Sequence, residues 1–155
     1  MKTLRITMLS IVVNIFVLHA SAQTTNRIVA INETDYSKPK LFNDLPQQMK
    51  LKVTDLEALF ELQVGATIKK QITPQFIFQG VVISKANNPN VKSVVIKSVN
   101  RQGATFTFTK VFKSDGTFSY IGRIVSLKNS DAYEIVQEEG QYIFKKKSLY
   151  DLVSE

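Results

Sequence analysis

The chain has 155 residues, of which 44% are apolar, a size and composition that suit the core of one domain. It contains no Cys, no Trp and a single His, so disulfides and cysteine-based zinc sites or nucleophiles are excluded. The formal net charge is +7, which favours anionic partners.

Residues 1–22 have the three-part layout of a secretory signal peptide. Lys2 and Arg5 precede an apolar run at residues 6–18, and small residues lead to a cleavage site after Ala22. A membrane span needs about 20 apolar residues, so this run is too short to remain as an anchor. The segment resembles the signal peptides of exported bacterial proteins. We predict a secreted or periplasmic protein, cleaved after Ala22, with no membrane span.

Cleavage would remove His19, the only histidine, and would leave 133 residues with a net charge of +5. Without His or Cys, the remaining chain cannot form a Ser-His-Asp or Cys-His nucleophile. It also contains no glycine-rich phosphate loop and no calcium-loop motif. We therefore predict that the protein is not an enzyme and has no catalytic residue, no metal site and no cofactor.

The rest of the chain divides into two parts. Residues 23–50 are predicted to be an extended segment that leads into the domain, with a short strand at residues 27–31. Residues 51–155 are predicted to form one domain of a helix and an antiparallel sheet, because no repeat, low-complexity tract or linker interrupts them.

The domain begins with one predicted helix, from Asp55 to Val64. Thr54 and Glu57 match a capping box, in which each side chain accepts a hydrogen bond from a free backbone amide. The helix carries one apolar stripe, made of Leu56, Leu59 and Phe60. Glu57 and Glu61 are four residues apart on its other face, a spacing that leaves a paired-carboxylate site open as an alternative.

After Gly65 the apolar period changes from 3.6 to 2, which is typical of strands. Seven strands are predicted, at residues 67–72, 76–84, 91–99, 104–112, 117–125, 133–137 and 141–145. The fold class is therefore mostly β (α+β): a single antiparallel meander sheet of six to eight strands with one N-terminal helix packed on it. A barrel, a sandwich and a cystatin-like arrangement, in which a helix lies across a meander, are all compatible with this pattern.

One hairpin can be aligned residue by residue. A three-residue loop that ends in a left-handed Gly116 places Phe112 opposite Phe118 and Lys110 opposite Tyr120. A two-residue turn would shift the register by one and mix the two faces of the sheet, so the longer loop is preferred.

The same face also carries Phe106 and Phe108. Extending the pairing across the turn at residues 100–103 places Val95 opposite Phe108 and Lys97 opposite Phe106. Cations beside aromatic rings suit a ligand that is anionic and partly apolar. The candidate ligand-binding residues are therefore Lys97, Lys110, Phe106, Phe108, Phe118 and Tyr120. The competing interpretation is that the rings form the core and the two lysines reach to water at its margin.

Ten Lys or Arg residues lie between Leu62 and Ser130, against one acid, Asp115. Such a basic block can attract anionic partners, or its lysines can solvate strand faces and protect sheet edges from pairing with other chains. With the missing catalytic motifs and the exported context, the sequence predicts a non-enzymatic binding or interaction protein for an anionic or amphiphilic ligand, and no nucleic-acid partner. The first alternative is an inhibitor or folding partner of an exported protease, acting through an edge strand or turn. The second is a carboxylate-dependent hydrolase. A cavity would favour ligand binding, whereas a filled core with a protruding hairpin would favour an inhibitor.

Overall fold

The computed structural model of the protein describes residues 38–153. The predicted signal peptide at residues 1–22 and the predicted strand at residues 27–31 lie outside the described residues. No helix within residues 38–153 has the length and apolar character needed to cross a membrane.

Eight antiparallel strands form one sheet that curls into a half-barrel. The strands are β1 (Gln48–Lys50), β2 (Thr67–Thr73), β3 (Phe76–Asn88), β4 (Val91–Ser98), β5 (Thr105–Phe112), β6 (Phe118–Val125), β7 (Asp131–Glu138) and β8 (Gln141–Ser148). Strands β2 to β8 form a meander, and β1 pairs with β8 at one edge. The predicted antiparallel meander is confirmed. The additional strand, β1, is a short one in the segment that leads into the domain.

Alternation of side chains along each strand explains why the sheet has one buried face. In β5 the side chains of Phe106 and Phe108 are fully buried on the concave face. Thr105, Thr107 and Thr109 alternate with these two residues and are half-buried on the convex face. Because successive residues of a strand point to opposite faces, the period of two directs Phe106 and Phe108 to the interior.

The predicted N-terminal α-helix is not formed. Val53–Glu61 is a 3₁₀ helix instead, and the α-helix of the described chain is the short C-terminal α1 (Leu149–Val153). The predicted capping box is also absent, since no side chain caps the 3₁₀ helix.

The apolar spacing explains the 3₁₀ geometry. Val53, Leu56 and Leu59 are buried at intervals of three, which aligns them along one edge of a helix with three residues per turn. Phe60 adds a ring that stacks on Phe108 of the sheet, with 4.9 Å between ring centroids. The 3₁₀ helix therefore fills the concave side of the half-barrel and joins one continuous apolar core.

The segment before β1 closes one end of the half-barrel. Phe42 is fully buried there and packs edge-on against Phe76 and Tyr133. The buried carboxylate of Asp131 accepts hydrogen bonds from the backbone amides of Leu41 at 2.6 Å and Phe42 at 3.0 Å. A buried charge with two amide donors is satisfied, so this contact fixes the segment to the start of β7. We call this region, residues 38–47 with the sheet end that they cover, the closed end.

Candidate functional site

The opposite end of the half-barrel carries a cluster of charged and aromatic side chains on its concave face. We call this cluster the lip, and it consists of Lys92 from β4, Lys110 and Phe112 from β5, and Phe118 and Tyr120 from β6. Its geometry depends on the β5–β6 hairpin, where Phe112 pairs with Phe118 and Lys110 with Tyr120. The predicted register of this hairpin is confirmed.

The turn that creates this register is also the predicted one. Gly116 has a φ of 80°, in the left-handed region. The amide of Gly116 donates to the carbonyl of Lys113 at 3.1 Å, and the amide of Lys113 donates to the carbonyl of Thr117 at 2.8 Å. Asp115 accepts from the amide and hydroxyl of Thr117, which fixes the loop from within.

Lys110 lies among three aromatic rings of the lip. Its Nζ is 4.0 Å from the ring centroid of Phe118, 5.4 Å from that of Phe112 and 5.5 Å from that of Tyr120. These distances are within the range in which a ring face attracts a cation. Phe118 is 49% exposed and the Lys110 side chain is 16% exposed, so the lip presents an apolar ring at the surface beside a cation that is partly accessible.

The main polar partner of the lip is Glu57, from the 3₁₀ helix. Lys110 Nζ donates to Glu57 Oε1 at 2.6 Å, and the hydroxyl of Tyr120 donates to the same oxygen. This contact differs from the helix cap and the carboxylate pair that the sequence pattern predicts for Glu57. The sequence signal for this contact is that Glu57 directly follows the buried Leu56, a position at the border of the sheet.

Glu57, Lys110 and Tyr120 shift one another's pKa values. The hydrogen bonds from Lys110 and then from Tyr120 lower the pKa of the Glu57 carboxyl. The hydrogen bond to Glu57 raises the pKa of the Lys110 ammonium group. Burial, followed by the hydrogen bond to Glu57, raises the pKa of the Tyr120 hydroxyl. The site therefore contains a carboxylate, an ammonium and a neutral phenol near neutral pH.

A second lysine faces this triad. Lys92 pairs with Lys110 across β4 and β5, and a like-charged cross-strand pair is unfavourable unless an anion lies near it. Glu57 is that anion, since the charge of Lys92 also lowers the pKa of its carboxyl. Within residues 38–153 Lys92 has no ion-pair partner within 4 Å, so one positive charge of the lip remains unpaired.

The prediction that Lys97 shares the face of Lys110 is wrong. Lys97 pairs with Thr105, and Ile96 takes the place opposite Phe106. The loop after β4 has five residues rather than four, because the amide of Ser98 donates to the carbonyl of Ala104. The amide of Val99 donates instead to Gln79 of β3. This one-residue slip places Lys97 on the exposed convex face.

The remaining predicted site residues divide between core and surface. Phe106 and Phe108 are fully buried and stack with each other, with 6.1 Å between centroids. Tyr120 is almost buried and stacks on Phe108, with 5.6 Å between centroids. The structure thus brings Phe106, Phe108, Phe118, Tyr120 and Lys110 together, but only Phe118 is exposed, and the Lys110 side chain is 16% exposed.

Two clefts among the described residues stand out, and neither is lined by Lys110. One cleft of about 560 Å³ lies between β8, α1 and the closed end. The other, of about 720 Å³, lies where the ends of β1 and β2 approach each other. The concave face beneath the lip is filled by the 3₁₀ helix, so a ligand at the lip would bind at the surface rather than in a cavity.

Most of the buried carboxylates in the described chain take part in structural contacts. Glu134 is buried on the convex face and contacts Arg123 at 2.8 Å and Lys147 at 3.0 Å. Glu57 is held by Lys110, whereas Glu61 is exposed. Among residues 38–153 there is no group of three or more acidic, His or Cys side chains arranged to hold a metal ion.

Comparison with known proteins adds no family to this description. No family model matches the chain, and the searches of curated proteins and of solved structures give no match.

Proposed function

We propose that the protein is an exported, non-enzymatic binding protein and that its ligand is an anionic amphiphile bound at the lip. The observation that carries this proposal is the position of Lys110 among three rings, one of which is half-exposed. The anionic group would lie between Lys92 and Lys110, and the apolar part would lie on Phe118. Charge and apolar contact area are then provided by the same small surface.

The filled interior limits the kind of complex that can form. Leu56, Leu59 and Phe60 occupy the space that a barrel-type carrier would leave for its ligand. A ligand at the lip therefore keeps part of its surface in water. We expect an affinity in the micromolar range or weaker, because little of the apolar ligand surface is removed from water.

Export supports this proposal from the sequence side. The signal-peptide layout of residues 1–22 predicts a compartment in which anionic amphiphiles such as fatty acids and lipid fragments are available.

A second candidate function is the inhibitor or folding partner of an exported protease. The filled core favours it, as does the position of the β5–β6 loop. The amide of Phe112 donates to the carbonyl of Asn90, in the turn between β3 and β4. Residues 113–117 therefore extend beyond the neighbouring turn, and all five are exposed. A purified protein that inhibits proteases through this loop, and binds no amphiphile, would favour this alternative.

Titration with a fluorescent fatty acid tests the proposed function. The double variant Lys92→Ala, Lys110→Ala should bind more weakly and with less dependence on salt, because charge attraction is screened within about 10 Å at 0.1 M salt. The matched control is Lys97→Ala, Lys128→Ala, which removes the same charge from exposed positions outside the lip. Equal and measurable affinities of the two double variants would contradict the proposal.

A further inference from the structure

The Lys110–Tyr120 pair has the chemistry of a carboxylate-binding site. An ammonium group and a phenol converge on one oxygen atom, Glu57 Oε1, from two neighbouring strands. Such charge-assisted hydrogen bonds are stronger than those between neutral groups. The Tyr120 side chain is held by stacking on Phe108, so the phenol is oriented before any ligand arrives.

The carboxylate that now occupies this position belongs to the chain itself. We infer that Glu57 is an internal substitute for the carboxylate of the ligand, and that binding requires exchange of one carboxylate for the other. This inference rests on the proposed function and adds the ligand class: a carboxylate with an adjacent apolar group. It also makes the free protein self-blocked at its own site.

The contacts of the 3₁₀ helix permit this exchange. The chain around it is hydrogen-bonded to the sheet at both ends, from the amide of Leu51 to Tyr142 and from the amide of Gly65 to Val82. Between these anchors, the helix of the described chain is hydrogen-bonded to the sheet only through Glu57, which accepts from Lys110 and Tyr120.

Because the helix is buried, the exchange involves only the side chain of Glu57. Leu56 and Leu59 stay buried whatever the rotamer of Glu57, whereas the Glu57 side chain is 38% exposed. Its carboxylate can therefore turn to water without movement of the backbone.

The neighbouring charges favour a second anion over an empty site. Release of Glu57 leaves Lys92 and Lys110 opposite each other with no anion between them, which is unfavourable. An incoming carboxylate restores the neutralisation and places its apolar part next to Phe118. The exchange thus conserves the hydrogen bonds of the lip and adds an apolar contact.

Three variants test the exchange with a fluorescent fatty acid and its uncharged methyl ester as probes. Glu57→Gln keeps the shape but loses the charge, and Glu57→Asp keeps the charge but is shorter by about 1.5 Å, so its carboxylate falls short of Lys110. Glu61→Gln is the matched control, since it removes one exposed negative charge from the same helix.

We expect the acid to bind on the order of tenfold more tightly to Glu57→Gln and Glu57→Asp than to the wild type. Binding to Glu61→Gln should stay within about twofold of the wild type, and no variant should change the binding of the ester. A gain for Glu57→Gln without a gain for Glu57→Asp would overturn the inference, because the effect would then be one of charge rather than of occupancy. Thermal unfolding of each variant identifies any that is not folded.

The outcomes separate this inference from the proposed function. If the wild type binds the acid through Lys92 and Lys110 but the Glu57 variants bind no more tightly, the exchange is wrong and the proposed function stands. If the Glu57 variants bind and the wild type does not, the self-blocked site is supported. If no variant binds the acid, both are contradicted.

Discussion

The two ends of the half-barrel use charged residues in different ways. At the closed end, two buried or half-buried charged groups bind the backbone: Asp131 accepts from two amides, and Lys146 Nζ donates to the carbonyls of Phe42 and Leu45, both at 2.6 Å. One side-chain ion pair, from Arg101 to the exposed Asp44, adds to these contacts. At the lip, Lys110 and Glu57 bind each other through side chains that remain partly exposed.

This difference separates stability from recognition. Backbone groups cannot be exchanged for a ligand, so these backbone contacts keep one arrangement, and loss of the Asp131 carboxylate would leave the buried amide of Phe42 unsatisfied. Side-chain pairs at the surface contribute little to folding and can be exchanged for other partners. We therefore expect the closed end to hold the fold together and the lip to be available for binding.

Truncation of one phenylalanine at each end should give the largest contrast. Phe42→Ala removes a fully buried ring and should lower the free energy of unfolding by about 3–5 kcal/mol. Phe118→Ala removes a half-exposed ring and should cost about 1 kcal/mol or less. Urea unfolding of both variants measures this difference. Equal losses would mean that the lip is part of the stabilising core.

Alkaline pH should destabilise the closed end through Tyr133. Burial, followed by the nearby charge of Asp131, raises the pKa of its hydroxyl from 10.0 to about 12. The folded protein favours the neutral form of the Tyr133 hydroxyl. Its contribution to stability is therefore complete below pH 10 and is lost as the pH rises towards 12. The loss should be about 2–3 kcal/mol.

Tyr133→Phe should be less stable than the wild type at pH 8, because it lacks the hydrogen bond to the carbonyl of Pro46. Its stability should then fall less steeply between pH 10 and 12. Tyr150→Phe is the control, since Tyr150 is exposed. Parallel pH profiles of the wild type and Tyr133→Phe would contradict this assignment.

The β5–β6 loop should show an effect of intermediate size. Gly116→Val places a β-branched residue at a φ of 80° and should cost about 1 kcal/mol or more. No atom lies within 4 Å of the added Cβ, so the cost comes from the backbone conformation alone. Gly116→Asn should cost less, because Asn tolerates the left-handed region. Chemical denaturation compares the two, and an equal cost would place the strain elsewhere.

The smallest effect on stability is expected at the lip itself. Lys110→Met keeps much of the side-chain volume and removes the charge, and it should change the free energy of unfolding by about 1 kcal/mol or less. The same variant should lose most of its affinity for the fluorescent fatty acid. A variant that is strongly destabilised but still binds the acid would reverse the roles of the two ends.

Most of the sheet follows from local pattern in the sequence. The period of two and the turn residues predict β2 to β8 to within a few residues, and Gly116 predicts the β5–β6 register. Strand β1 has only three residues, too few for a period to be seen, and it exists because β8 offers an edge for pairing.

The errors arise where tertiary contacts decide between similar local alternatives. Asn100 bonds to the backbone of Ile77 and Gln79 of β3, and this lengthens the β4–β5 loop by one residue and moves Lys97 to the other face. The pattern of residues 53–61 fits both helix types over one or two turns. Packing in the half-barrel selects the 3₁₀ form, and with it the contact of Glu57 that completes the candidate site.

Nuclear magnetic resonance of the ¹⁵N-labelled protein tests most directly whether the lip, and not the closed end, binds the ligand. Titration with decanoate should shift the backbone amides of Lys92, Lys110, Phe118 and Tyr120 and of the 3₁₀ helix at Glu57. The amides of Leu41 and Phe42 at the closed end should not move. Shifts centred on the closed end or on the cleft beside α1, with the lip unchanged, would contradict the account.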